Sequence, residues 1–294
     1  MEIEILNKTY NQSLILSHSS YPFFLDEDGV DWGTCEADFS TITDVAGYGL
    51  RETNIKFEER EISIEGYVTA YNDKTVEDYK KQLSRLINPL HEIELISGDY
   101  KITVKAENSV KYSTKWRENN EVLCKFVLDF VAFYPFFRYK WNEVARKSEA
   151  QGTALFPLVI DVNKGKIFGR IPYNNINNIF NEGDIQVGFE LVVEAKDGPI
   201  KYLKGVNNKT KEQFYLQEGL EQGEKFIIST QVANKYVKKY DIDGVETDIT
   251  NKLTRDSDFW QILPGQNDLD FESDNNYALS FYITYSPAFL EVLG

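Results

Sequence analysis

The sequence predicts a mainly β protein of two domains: an α+β N-terminal domain of strands carrying one helix, then a β-sandwich. Three observations predict it. EVLCKFVLDFVAFYPFFR, from Glu121 to Arg138, is a long apolar strand that runs into a proline-aromatic knot. A single amphipathic helix precedes it and ends in Leu86-Ile87-Asn88-Pro89. Beyond residue 150, short strand-like runs recur roughly every ten to fifteen residues with turn signals between them.

In the first half, MEIEILN and SLILS alternate weakly, and Asn54 to Tyr71 alternates well, with Ile55 and Phe57, then Ile62 and Ile64. Thr75-Val76-Glu77-Asp78 fits a capping box, so the helix is expected over about 75–88. Val76, Tyr79, Leu83, Leu86 and Leu90 form its apolar stripe, with Lys80, Lys81 and Arg85 outside. Pro89 stops it, because the residue before a proline is pushed out of the α region. His91 follows that proline and reads as a surface or capping residue. HEIELISGDYKITVKAE is a hairpin turning at Ser97-Gly98-Asp99, and a polar hairpin around Glu118-Asn119-Asn120 feeds the long strand. In that strand Val122, Cys124, Phe126, Leu128 and Phe130 fall on one face. Leu123, Val127, Val131 and Phe133 fall on or near the other, so both faces are expected to be covered. Pro135 ends the ladder and Phe136-Phe137 anchor the exit.

KWNEVARKSEAQGT, Lys140 to Thr153, is a polar linker, and the domains are expected at 1–148 and 149–294. The second half offers no convincing helix. Its turns are read at Glu182-Gly183-Asp184, Lys196-Asp197-Gly198-Pro199, Asp243-Gly244 and Pro264-Gly265. In DIQVGFELVVEA, Phe189, Leu191 and Val193 are expected inward, with Glu190 and Glu194 outward.

The 294-residue chain carries a net charge of −15, split as −8 before residue 150 and −7 after it. Evenly spread acidity argues against a nucleic-acid binder, which needs clustered Lys and Arg. Two cysteines, Cys35 and Cys124, make neither a disulfide framework nor a metal site. The N-terminus lacks the basic start and apolar core of a signal peptide, and no run is long enough to span a membrane. Synthesis in a reducing cytoplasm is the expectation.

Catalytic patterns are missing. The two histidines, His18 and His91, lie in no metal-binding motif, and no nucleophile elbow, Walker A loop or dinucleotide fingerprint occurs. Gly47-Tyr48-Gly49 reads as a flexible loop. Asp26-Glu27-Asp28-Gly29-Val30-Asp31 and Asp241-Ile242-Asp243-Gly244 have alternate aspartates before glycine, as calcium loops do. Neither has the downstream bidentate glutamate, and Asp-Gly is the preferred tight turn, so both are read as turns. No catalytic, cofactor-binding or metal-binding residue is assigned, and no enzymatic activity is expected. A hydrolase would rest on the abundance of carboxylates alone.

In order and spacing the chain resembles the distal tail proteins of long-tailed siphophages. Its first half carries Gly49-x-Arg51, the strand Arg60 to Gly66, Leu86-x-Asn88-Pro89 and Pro135-Phe136-Phe137. Its second half carries Phe156-Pro157, Asn181-x-Gly183-Asp184, Gly223-Glu224 and the most specific run, Ser257 to Asn267, SDFWQILPGQN. The resemblance implies a structural tail protein whose N-terminal domain is a β-barrel or sheet domain with one helix, tail-tube-like, and whose C-terminal domain is a galectin-like β-sandwich. It implies a homohexameric ring between the tail tube and the tail-tip hub or tail-associated lysin. Receptor-binding or baseplate proteins would dock on it, and DNA would pass through without specific binding. The expected location is the virion tail tip, with no membrane partner. An extra carbohydrate-binding module, carried by some relatives, has no room here. A carbohydrate-binding module using Tyr173 or Tyr202, and a baseplate component of a contractile tail or bacteriocin, are the alternatives. Trp32, Tyr48 and Trp116 sit in polar loops, where large aromatics either anchor interfaces or cover their own domain.

Overall fold

The computed structural model describes residues 1–43, 50–71, 75–146, 151–152, 169–170, 175–196 and 198–291. Among them strands predominate. The chain divides into two compact units, residues 1–140 with 289–294, and residues 141–288. The boundary expected at 148/149 lies outside the described residues.

The first unit contains β1 (Glu2–Asn7), β2 (Gln12–Ser17), β3 (Phe23–Asp31), β4 (Ala37–Thr43), β5 (Leu50–Phe57), β6 (Arg60–Thr69), α1 (Val76–Leu86), β7 (Ile93–Ser97), β8 (Tyr100–Ala106), β9 (Lys111–Tyr112), β10 (Leu123–Ala132) and β11 (Phe137–Tyr139). Strands β8-β7-β1-β2-β3-β6-β10 form a closed seven-stranded barrel, sealed where Phe130 and Val131 of β10 pair with Ala106 and Lys105 of β8. Closure leaves a barrel without open edges.

Alternation fills the barrel. Ile62, Ile64 and Val68 of β6 and Cys124, Phe126, Leu128, Phe130 and Ala132 of β10 are all buried. The register sets Phe126 opposite Gly66, and a Cβ there would lie 2.7 Å from the Phe126 ring and 2.4 Å from the Phe24 carbonyl oxygen. Only glycine fits. The opposite face of β10 departs from expectation. Leu123, Val127 and Val131 are half-buried, Phe133 is exposed, and Lys125 and Asp129 share that face. One buried face, partly screened on the other, is the ordinary state of a barrel strand.

Helix α1 begins as the capping box dictates. The Asp78 amide donates to Thr75 Oγ1 at 3.3 Å and the Thr75 amide donates to Asp78 Oδ2 at 3.1 Å. Val76, Tyr79, Leu83 and Leu86 join the barrel core. The helix ends at Leu86, so Leu90 drops out of phase and is 85% exposed, contrary to expectation. Lys80 turns inward instead of outward, with 13% of its side chain exposed, and donates to Glu77 and Asn119. His91 is buried rather than at the surface. Its Nδ1 lies 3.0 Å from Asn7 Nδ2, and Tyr10 packs edge-on against its ring.

The second unit contains β12 (Glu143–Arg146), β13 (Gln151–Gly152), β14 (Gly169–Arg170), β15 (Asn175–Asn181), β16 (Phe189–Ala195), β17 (Leu203–Asn207), β18 (Gln213–Leu216), β19 (Lys225–Gln231), β20 (Asn234–Tyr240), β21 (Glu246–Asp248), β22 (Gly265–Glu272) and β23 (Leu279–Tyr285). The chain then returns to the first unit, where a short last strand, β24 (Ala288–Phe289), neighbours β11 and Phe289 packs on Tyr100 and Tyr139 of that same unit. A six-stranded sheet, β12-β23-β16-β19-β20-β21, and a four-stranded sheet, β15-β22-β17-β18, make a sandwich. Phe189, Leu191 and Val193 point inward as the alternation requires. Trp260, 4.7 Å from Phe189 between centroids, fills the core together with Phe214 and Phe271. The Asp241–Gly244 segment is a turn: Asp241 Oδ1 accepts from the Asp243 and Val245 amides, and Gly244 adopts φ +81°. Asp26–Gly29 is not a turn. It stays in β3 as a bulge, where pairing with β6 jumps from Leu25↔Gly66 to Val30↔Ile64.

Candidate assembly surface

Among the described residues, strands β4 and β5 pair only with each other, in a two-stranded ribbon outside the barrel sheet. Ala37 faces Phe57, Phe39 faces Ile55, and, past a bulge at Ser40/Thr41, Thr43 faces Leu50. This register puts Phe39, Leu50, Ile55 and Phe57 on one face, with Ile42 on the other. Phe39 is 55% exposed and Leu50 is 70% exposed, and Ile42 and Ile55 are exposed as well. Phe57, at the root, packs edge-on against Phe136 at 5.1 Å. A lone two-stranded ribbon is marginal in water, and a contiguous apolar face on one calls for a cover. Sequence reading took Asn54–Tyr71 as one alternating stretch and missed the ribbon. The available signal was the alternating ADFSTIT run on the far side of a glycine-containing loop.

Arg60 fixes the ribbon's root. The side chain is 1% exposed, and among the described residues no carboxylate pairs with it. It donates instead to backbone carbonyls: Nε to Pro135 at 2.9 Å, Nη1 to Trp32 at 3.3 Å and Gly33 at 3.2 Å, and Nη2 to Leu290. Phe137 lies under the guanidinium, 4.9 Å away. One cation thereby ties the strand before the ribbon, the proline-aromatic knot and the returning chain end of the same unit. A delocalised guanidinium with five donors suits this task, and a lysine ammonium does not.

The proposed interface aromatics take different places. Trp32 is half-buried, edge-on to Phe137 at 5.6 Å, and its carbonyl serves Arg60. Trp116 is 80% exposed in the turn before β10. Tyr48 and the Gly47-Tyr48-Gly49 loop lie outside the described residues, as does Tyr173. Tyr202 is half-buried and packs on Tyr215 at 5.4 Å. Among the described residues no three His, Cys, Asp or Glu side chains group to hold a metal, and no helix is long and apolar enough to cross a membrane.

The outer wall of β3, β6 and β10 is charged. Lys125 Nζ lies 2.6 Å from Glu65 and 3.0 Å from Asp26, whose carboxylate sits in the β3 bulge. Hydrogen bonds to Glu65 and then Asp26 raise the Lys125 ammonium's pKa, and the bond from Lys125 holds the Asp26 carboxyl below its ordinary value. Lys111 pairs with Asp129 at 2.6 Å nearby.

The chain combines a closed seven-stranded barrel with a unit of two packed sheets, and comparison with known proteins places it among phage tail components. The family pattern for a phage tail protein RIFT-related domain matches residues 18–128, and that for the siphovirus-type tail component, C-terminal domain, matches residues 182–289. The Dit protein of phage SPP1, described as a paradigm of the hub adsorption apparatus of phages infecting Gram-positive bacteria, superposes with a TM-score of 0.62 at 13% identity. The match covers 98% of this chain and 99% of that one. A chain of the phage P2 baseplate in its activated conformation superposes with a TM-score of 0.51 at 9% identity, covering 97% of each. At such identities the likeness is one of fold. No curated protein sequence matches. The chain belongs to the siphophage distal tail family, the Dit-like structural proteins of the phage tail and baseplate.

Proposed function

We propose that this protein is a homohexameric adaptor at the distal end of the tail, joining the tail tube to the tip hub or tail-associated lysin. Receptor-binding or baseplate proteins would dock on it. It works by assembly and not by catalysis. The β4–β5 ribbon carries this reading: Phe39, Leu50 and Ile55 on its apolar face are exposed among the described residues, and a second copy supplies the cover. A closed ring turns such a contact into a finite assembly and leaves two faces, one for the tube and one for the hub. The −15 charge suits a ring through which DNA slides without adhering.

Light scattering across a concentration series, with negative-stain images, tests the proposal. Rings of six copies are expected from the unaltered chain, and monomers from Leu50→Asp/Ile55→Asp. A ribbon variant that still forms rings overturns the role given to the ribbon.

A further inference from the structure

Within the second unit, residues from both sheets and from the stretch before β22 meet in a groove of about 540 Å³, the size of a small-molecule site. Gln186 precedes β16, Glu212 precedes β18, Lys235 stands at the start of β20, and Phe259, Trp260 and Gln261 precede β22. Trp260 is 2% exposed, and its indole N–H has no hydrogen-bond partner among the described residues. Phe259 is half-buried, with Lys235 Nζ 5.9 Å from its ring centroid. The turns around the groove are held from behind. Fully buried Asn207 accepts through Oδ1 from the Lys209 and Thr210 amides, and its own amide donates to the Glu212 carbonyl at 2.9 Å. Lys211, beside Glu212, has φ 66°, and Ala233, in the turn before Lys235, has φ 63°. These left-handed conformations are strained for non-glycine residues, and such strain gathers at binding sites.

We propose that this groove binds a neutral saccharide. Among the described residues, the side chains of Gln186, Glu212, Lys235 and Gln261 make no hydrogen bond or ion pair. Glu212 and Lys235 have opposite charges and line one groove, yet they stay apart. Their charges cancel, so the groove selects neither anions nor cations. A purely apolar ligand would take four polar side chains out of water and return no hydrogen bond. A sugar ring answers both conditions. One face of C–H groups can lie on the negative face of the Phe259 ring. Its rim of hydroxyls donates and accepts, as two amides, a carboxylate and an ammonium require. With roughly 150 Å³ enough to hold a benzene, the groove has room for about three six-membered rings, which favours an oligosaccharide over a single sugar. Tyr202, the aromatic that the sequence suggested for such a role, packs on Tyr215 and does not line this groove. Every residue named belongs to the second unit, so the inference does not depend on ring formation.

Saturation-transfer NMR on the full-length chain tests it, with mono- to tetrasaccharides of glucose, galactose and N-acetylglucosamine as probes. At least one oligosaccharide is expected to bind, with transfer concentrated on the C–H protons of one ring face. Its affinity is expected to hold when salt is raised about tenfold, because the ligand is uncharged. Phe259→Ala and Glu212→Gln are each expected to weaken it about tenfold, and Gln186→Ala by less. Thermal unfolding checks that each variant keeps its fold. Gln186 is exposed and Glu212→Gln keeps the side-chain shape, so these two decide if Phe259→Ala unfolds. Failure of every probe to bind overturns the proposal. Binding that survives all the folded variants unchanged places the sugar elsewhere and overturns it as well. Binding of inorganic phosphate that is lost in Lys235→Ala, with no saccharide bound, makes the groove an anion site and overturns the ligand class.

Discussion

Two antiparallel pairs in the first unit have much in common and opposite fates. β6 and β10 pair over ten residues and bury one face in the barrel. β4 and β5 pair over seven and bury almost nothing. Both have alternating apolar residues, so local pattern does not separate them. What separates them is whether a third element reaches the apolar face. Inside the barrel Phe126 lies against Gly66 within the shared core; on the ribbon Leu50 has solvent. The first pair supplies stability to the fold, and the second holds its apolar surface in reserve for association.

The contrast can be broken first at Phe126. Phe126→Ala empties a site over Gly66 and is expected to cost about 3–5 kcal/mol in denaturant unfolding of the chain. A loss below about 1 kcal/mol would mean that the barrel collapses around the gap. Arg60→Met comes next. It keeps the packing on Phe137 but strands carbonyls of Trp32, Gly33, Pro135 and Leu290, for an expected loss of about 2–4 kcal/mol. Limited proteolysis should then open the chain around the ribbon root before the barrel. An unchanged digestion pattern would separate Arg60 from the ribbon's anchoring.

Lys125→Met probes the charged outer wall, with an expected cost of about 1 kcal/mol at neutral pH, because all three partners are partly exposed. Its pH signature has a definite sign. The depressed Asp26 value means that the stabilisation is present above the unfolded carboxyl pKa and is lost as pH falls through the lower folded value. The raised Lys125 value means that it is present below the unfolded lysine pKa and is lost as pH rises through the higher folded value. The stability difference between Lys125→Met and the unaltered chain should therefore shrink in strong acid and in strong base. A difference that stays flat from neutral pH into strong acid would mean that the ion pair contributes nothing. The smallest change in folding stability is expected from Leu50→Asp/Ile55→Asp, within about 0.5 kcal/mol in the monomer, despite the loss of rings. A large destabilisation of the monomer would show that the ribbon is covered within its own chain, and would erase the comparison with β6 and β10.

Much of this protein was legible in order along the chain. The capping box at Thr75, the stripe through Leu86, the stop at Pro89 and the alternation of Cys124 to Phe130 act over a few residues, where steric and hydrogen-bonding rules are strong. The mainly β two-part architecture followed from them, and the family from motifs spread over both halves. Tertiary structure decided what depends on distant partners. Alternation in β10 marked apolar residues on both faces, but barrel closure through β8 chose the buried one. Asp26–Gly29 had the chemistry of a turn, and pairing with β6 made it a bulge. His91 looked like a surface residue until Asn7, 84 positions away, met it. Arg60 carries no local mark of burial, since its acceptors come from residues 32, 33, 135 and 290. The ribbon escaped for the same reason. Sequence sets which residues alternate, but exposure is a property of what packs above them, and only the closed barrel shows that among the described residues nothing covers Phe39, Leu50 and Ile55.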